Sequence, residues 1–408
     1  MNAVKAAVPP RTVRTGSSDL LPATCHPGRG GRRRAPSRTI AFALTVAAAA
    51  LLPGRAGAQQ LTRRQALDST RAVLVSFMDA HHVPGMTAAV AVDSTLVWTE
   101  GFGYADLEHM VHARPQTRWR IASISKTLTA VAAMQLLEQG KLDLDAPIQR
   151  WVPEFPQKRG PVTLRRLMSH TSGLRHYKGD EFESDVHYDD VIAPIAVFAQ
   201  DSLLFMPGER YSYSTYGFTL VSAAVRRASG EPFLDYLAEH VIRPAGLTSV
   251  GPEKKDSIIL HHASFYLEDS LGVVTKAPEV DLSNKWAGGG LLSTASDLVR
   301  WALAVSEHRV LSDSMTERMW TRQKLNDGTL GPYALGWRVE TDSAGRRVVY
   351  HTGGAMGGGG VLYFYPDNGV AVAILGNLPT GYLAPARRIA RLLETAEGAM
   401  AAGTTGSR

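Results

Sequence analysis

The order of strand and helix signals along the 408 residues predicts an α+β fold. It is an antiparallel sheet flanked by helices and built from both chain ends, with a helical lobe inserted at about 145–290. Two groups of β-rich runs carry this reading: 87–92 and 96–99 early in the chain, and 334–339, 347–351, 360–365 and 370–375 late in it. Between them, apolar residues recur mostly at helical spacing, interrupted by Pro and Gly.

In chain order, Gln60–Ala80 reads as an amphipathic helix with Leu61, Ala66, Val73, Leu74 and Phe77 on one stripe. Pro84-Gly85 breaks it, and two strands follow around the turn Asp93-Ser94. Gly101-Phe-Gly-Tyr-Ala-Asp106 lacks a third glycine and a following helix, so it reads as a strand end rather than a nucleotide loop. A helix then starts at Ser123 and stops at Gly140. Leu142–Pro147 is a loop, 163–168 a short helix, and the polar, acidic 177–202 a flexible flap near a cleft. After Pro207-Gly208 a helix runs to Gly230 with Leu220, Val221, Ala224 and Val225 buried. The glycine turn at 287–290 feeds a helix capped by Ser293 or Ser296, with Leu298, Trp301 and Ala302 on its core face. The late strands follow, with a turn at 366–369, and a helix over 383–397 closes the fold. One domain is expected over 59–400, with a disordered tail at 401–408.

The net charge of +6 does not mark a nucleic-acid surface. Residues 1–58 hold nine Lys or Arg against one acid, which leaves the rest of the chain at −2. That leader has Arg32-Arg33-Arg34 and Arg38 ahead of an apolar run, Ile40–Leu52, and then small residues Ala56-Gly57-Ala58. This is the layout of a secretory signal peptide, so the protein is expected to be exported, periplasmic or secreted. An uncleaved anchor and a twin-arginine route are the alternatives. Cleavage would leave no membrane span. The single cysteine, Cys25, lies in the leader, so a mature chain would have no disulfide, thiol nucleophile or cysteine metal site.

The chemistry centres on Ser123 and Lys126. Three residues apart at a helix start, they share a face, and the helix N-terminus favours developing negative charge. Burial lowers a lysine pKa by roughly 3–5 units, which would make Lys126 a base for Ser123 without a histidine. Tyr213 follows a Pro-Gly turn and precedes a helix, so its hydroxyl could reach Ser123. A phenol beside an ammonium group is expected to ionise readily and to shuttle a proton. His351-Thr352-Gly353-Gly354 ends a strand that could edge the cleft, and the amides of Ser123 and Gly354 could hold an oxyanion. His170 reads as structural, and Met356–Gly360 as a turn. Gly-x-Ser-x-Gly and His-Glu-x-x-His are both absent, and neither a cofactor nor a metal is expected.

Taken together, Trp119–Lys126, Leu167-Met-Ser-His-Thr-Ser-Gly-Leu174, Pro207–Ser214, Gly289-Gly-Leu-Leu-Ser-Thr-Ala-Ser-Asp-Leu298 and His351–Gly354 resemble the serine β-lactamase-like family. That family comprises class C β-lactamases, D-aminopeptidases, penicillin-binding proteins and related esterases. The resemblance covers the chain from Val83 to Asn377 and implies the β-lactamase/transpeptidase-like fold. It implies Ser123 as acylated nucleophile, Lys126 as its base and Tyr213 as proton shuttle, acting on a small-molecule or peptide substrate. Two positions depart from the family pattern. Thr215 stands where Tyr-x-Asn has the amide that holds a substrate carbonyl. His351 stands where Lys-Thr-Gly has a permanent cation for a substrate carboxylate. Both changes argue against an efficient β-lactamase and towards the branch with mitochondrial members and bacterial relatives, to which peptidase or esterase activity is assigned. β-Lactamase or D,D-carboxypeptidase action, and a non-catalytic sensor or scaffold, are the alternatives.

Overall fold

The computed structural model describes residues 62–405, with side chains to Glu394, all within one compact unit; the expected leader lies outside the described residues. Helix α1 (Arg63–Ala80) opens with a capping box, in which Thr62 accepts from the Gln65 amide and the Gln65 side chain accepts from the Thr62 amide. It leads into β1 (Gly85–Val92), β2 (Thr95–Asp106) and β3 (Val111–His112). The stretch 101–106 is the end of β2, as expected, and the strand runs unbroken into it from Thr95, with Gly101 and Gly103 paired to Thr87 and Gly85.

After β4 (Trp119–Arg120) come α2 (Ser125–Glu138), α3 (Leu164–Met168), α4 (Tyr216–Ser229) and α5 (Phe233–Tyr236). Short elements follow: β5 (Gly251–Pro252), β6 (Tyr266–Glu268), β7 (Val274–Lys276), α6 (Trp286–Gly289) and β8 (Leu291–Ser293). The chain ends with α7 (Ala295–Ser306), α8 (Asp313–Trp320), β9 (Arg338–Thr341), β10 (Arg347–Ala355), β11 (Gly358–Tyr365), β12 (Val370–Gly376) and α9 (Leu383–Thr405).

The large sheet has seven strands in the order β3-β2-β1-β12-β11-β10-β9, antiparallel throughout. The early and late strands meet where β1 pairs with β12, Met86 opposite Gly376. Side chains alternate across the pleat. Val370, Val372 and Ile374 face α1 and α9, while Ala371, Ala373 and Leu375 face the helical side with Trp119, Leu128 and Trp301. Two buried indoles fix that side to its neighbours: Trp119 Nε1 donates to Thr87 Oγ1 at 2.8 Å, and Trp301 Nε1 to Thr127 Oγ1 at 2.9 Å.

Several expectations are corrected. The strand expected at 334–339 starts only at Arg338, because Ala334 and Trp337 close a turn on each other. The cap of α7 is Thr294, whose Oγ1 accepts from Asp297 N; Ser293 and Ser296 turn to Thr294 O and Thr99 Oγ1 instead. The segment 177–202 is not a loose flap. Arg175 ties it down through Glu181 and Asp201, both at 2.6 Å, and His187 through Asp281 at 2.9 Å. The last helix, α9, runs to Thr405.

Candidate active site

The turn carrying Ser123 hangs between β4 and α2. Ile121 N donates to Leu291 O at 3.0 Å, and Ala122 takes a positive φ of 48° as the first residue of a short 3-10 turn, Ala122–Ile124. Such backbone costs a non-glycine residue about 1–3 kcal/mol and persists only where the surroundings over-determine it. Ser123 therefore sits in the 3-10 turn just ahead of α2, while Lys126 is in the helix proper.

Lys126 is completely buried, and its Nζ lies 3.0 Å from Ser123 Oγ, 3.3 Å from Thr215 Oγ1 and 2.5 Å from Gly288 O. Burial holds its pKa well below the ordinary lysine value, and among the described residues no acid forms an ion pair with it. A neutral amine has two N–H groups and one lone pair. Gly288 O can only accept, so it takes one N–H, and Thr215 Oγ1 can take the other. In that neutral form the lone pair would be left for the Ser123 hydroxyl, whereas the protonated amine donates to Ser123 Oγ.

Burial pushes the Tyr213 phenol up, and the Ser123 hydroxyl beside it pulls only weakly the other way. This corrects the expectation of easy ionisation: burial outweighs the polar neighbours and keeps the phenol protonated. His170 backs it, with ring centroids 4.1 Å apart, and accepts from Ser214 N at 3.2 Å.

A cavity of about 50 Å³ beside Ser123 is lined also by His176, Tyr177, Phe182, Thr215, Leu282, Lys285, Gly288 and Gly354. Of the substrate-side candidates, Thr215 and Gly354 thus face it. His351, Thr352 and Gly353 are not among the lining residues. His351 does not end its strand, since β10 runs on to Ala355. Its ring is fully buried, with Nδ1 donating to Thr352 O at 2.6 Å and Nε2 accepting from Tyr333. Burial, then Lys126, lowers its pKa to about 3, so it carries no charge.

A lysine does line the cavity. Lys285 lies on the 3-10 turn before α6, held by Phe182 O at 2.8 Å between the rings of Tyr177 and Phe182. Burial, then Arg120, brings its pKa down to about 8. Sequence reasoning missed both Lys285 and Gly288. The available signal was a lysine set immediately before the Trp286-Ala-Gly-Gly run. Asp106, Glu108 and His109 form the one acid and histidine group of the described residues able to hold a cation, but Asp106 already bonds Ser264 and His109.

The sheet, its flanking helices and the Ser-x-x-Lys turn make up a β-lactamase/transpeptidase-like fold. The chain belongs to the Beta-lactamase family, whose model matches residues 70–397. It is 32 % identical over 397 residues to the human serine beta-lactamase-like protein LACTB, mitochondrial, covering 74 % of this chain and 72 % of that one. It is 29 % identical over 291 residues to the Bacillus subtilis putative penicillin-binding protein PbpX, covering 71 % and 69 %. A D-stereospecific amidohydrolase from Streptomyces superposes with a TM-score of 0.65 at 25 % identity, covering 76 % of this chain and 94 % of that one. Among the described residues no helix is long and apolar enough to cross a membrane.

Proposed function

We propose that the protein is a serine hydrolase working through an acyl-enzyme on Ser123 and cleaving a peptide or ester bond, exported by its leader. The observation that carries this is the Ser123 hydroxyl 3.0 Å from a fully buried Lys126 that has no acid paired with it among the described residues. Lys126 takes the proton from Ser123 as the hydroxyl attacks the substrate carbonyl. The amides of Ser123 and Gly354 hold the tetrahedral oxyanion. Tyr213, neutral and beside Ser123, relays the proton to the leaving group and later helps water to release the acyl group. Thr215 orients the Lys126 amine rather than a substrate amide. With position 351 neutral, Lys285 is the group in the cavity able to meet a carboxylate.

The test is intact-mass spectrometry after exposure to a fluorophosphonate, a p-nitrophenyl ester and a penicillin, with Ser123→Ala alongside. A fluorophosphonate adduct on the wild type alone, with ester turnover and little penicillin adduct, is the expected result. A stable penicillin adduct would move the assignment to a penicillin-binding protein. No adduct with any probe would leave a non-catalytic scaffold.

A further inference from the structure

We propose that Arg120 is a positioning residue for the oxyanion site, fixing the Gly354 amide by clamping the turn between β10 and β11; the inference rests on the acyl-enzyme reading above. Arg120 ends β4, three residues before Ser123, and is 5 % exposed. Its Nε and Nη2 form a two-pronged pair with Glu253, both bonds at 2.7 Å, and its guanidinium stacks 4.1 Å from the Phe265 ring centre. The remaining nitrogen, Nη1, donates to Met356 O at 2.5 Å.

Met356 and Gly357 form the β10–β11 turn, two residues beyond Gly354. The same turn is held on its other side. Tyr266 N donates to Gly357 O at 3.3 Å, and a Cβ at Gly357 would come within 2.6 Å of both Phe265 Cβ and Ala277 Cβ. One side chain therefore ties the strand that delivers the nucleophile to the turn that follows the proposed oxyanion donor. Planar, two-pronged pairing fixes direction as well as distance, which a lysine cannot reproduce. Glu253 supports the clamp as a carboxylate. Its own burial favours the neutral form, but hydrogen bonds from His262 and Arg120 prevail and pull its pKa to about 2.

Behind the clamp lies a second cavity of about 310 Å³, lined by Arg120, Glu253, His262 and Phe265 and lacking the nucleophile. It gives solvent a route to the guanidinium, which supplies a distinctive test.

Matched oxoesters and thionoesters should be compared on wild type, Arg120→Lys, Arg120→Ala and Glu253→Gln. Sulfur is a poor partner for oxyanion-hole amides, so the oxoester to thionoester rate ratio reads their placement, and one lost donor is worth about 10²–10³. Arg120→Lys should lower kcat for the oxoester at least about tenfold with little change in KM, and the ratio should fall. Ethylguanidinium entering the second cavity should restore oxoester turnover to Arg120→Ala in a saturable way. Should Arg120→Ala not fold, Glu253→Gln, which weakens the clamp without changing its shape, should lower the ratio to a lesser extent. Folded Arg120→Lys with an unchanged ratio overturns the clamp, since a merely structural role slows both substrates alike. Failure of fluorophosphonate to label wild-type Ser123 overturns the hydrolase reading itself; labelling with an unchanged ratio overturns only the inference about Arg120.

Discussion

Gly353 lies so close to Ile121 that a Cβ on Gly353 would meet the Ile121 carbonyl oxygen at 2.3 Å and Ala122 Cβ at 3.1 Å. β10 thus rests directly on the turn that presents Ser123. The next residue is different, since a Cβ on Gly354 meets nothing within 4 Å and Gly354 lines the cavity.

This pair gives a contrasting prediction. Gly353→Ala should push the strand off the nucleophile turn, lowering stability by about 1–3 kcal/mol, the usual range for overpacking, and turnover with it. Gly354→Ala should fold with stability within about 0.5 kcal/mol of wild type and show its effect in ester kinetics. Urea unfolding of both variants decides the matter; equal losses would mean that the strand does not rest on the turn.

Thr215 offers a second test. Its hydroxyl stands 3.3 Å from Lys126 Nζ, with Gly288 O on the other side of the amine. Thr215→Val keeps the shape and removes the acceptor, so the amine loses one of two orienting bonds. A bond of this kind is worth about 1 kcal/mol, so kcat for an ester should fall roughly fivefold to tenfold with KM little changed. A rise in KM alone would place Thr215 against substrate instead.

How much of this was legible beforehand follows from what sequence patterns encode. The β-rich apolar run of β12 and the motif around Ser123 and Lys126 are local, and both elements were found near their observed places. Gly101 and Gly103 look like punctuation, yet β2 runs through them because their lack of a side chain admits backbone: a Cβ at Gly101 would come within 2.2 Å of Ala113 O. The pKa of Tyr213 was misjudged because it depends first on burial by residues far apart in the chain. Lys285 and Gly288 were missed for a related reason: they meet Ser123 only through the folding of α6 against α2. Pinning of 177–202 rests on pairs such as His187 with Asp281, which no local pattern shows.

Lys285 carries a third prediction. Burial leaves it with a pKa of about 8, so it is a cation in the Ser123 cavity at neutral pH and loses its charge as pH rises through about 8. Esters bearing a carboxylate should react faster than neutral isosteres by roughly tenfold or more near pH 7, the range for a charge-assisted hydrogen bond. The preference should fade on the alkaline side of that value. Lys285→Met should abolish it while leaving neutral esters much less affected. A preference that survives in Lys285→Met would locate the anion elsewhere.

Lys126 gives the last prediction, because one buried amine controls both rate and stability. The folded state binds its proton less tightly than the unfolded chain, where lysine titrates near about 10.4. Between the depressed folded value and the ordinary one, the unfolded chain therefore holds more protons, and stability must rise with pH. The slope from this one group reaches about 1.4 kcal/mol per pH unit. Lys126→Met removes the group, so wild type should gain on the variant as pH is raised from neutral, in urea unfolding followed at several pH values. The variant should also lose about 10²–10⁴ in kcat, the contribution of a general base. Wild-type kcat/KM should rise with pH through the depressed Lys126 value and then level off, with no second step from Tyr213 near neutrality, since its phenol is pushed up. Stability curves that stay parallel would mean Lys126 keeps its proton in the fold, and the unaided lysine base would then be the wrong mechanism.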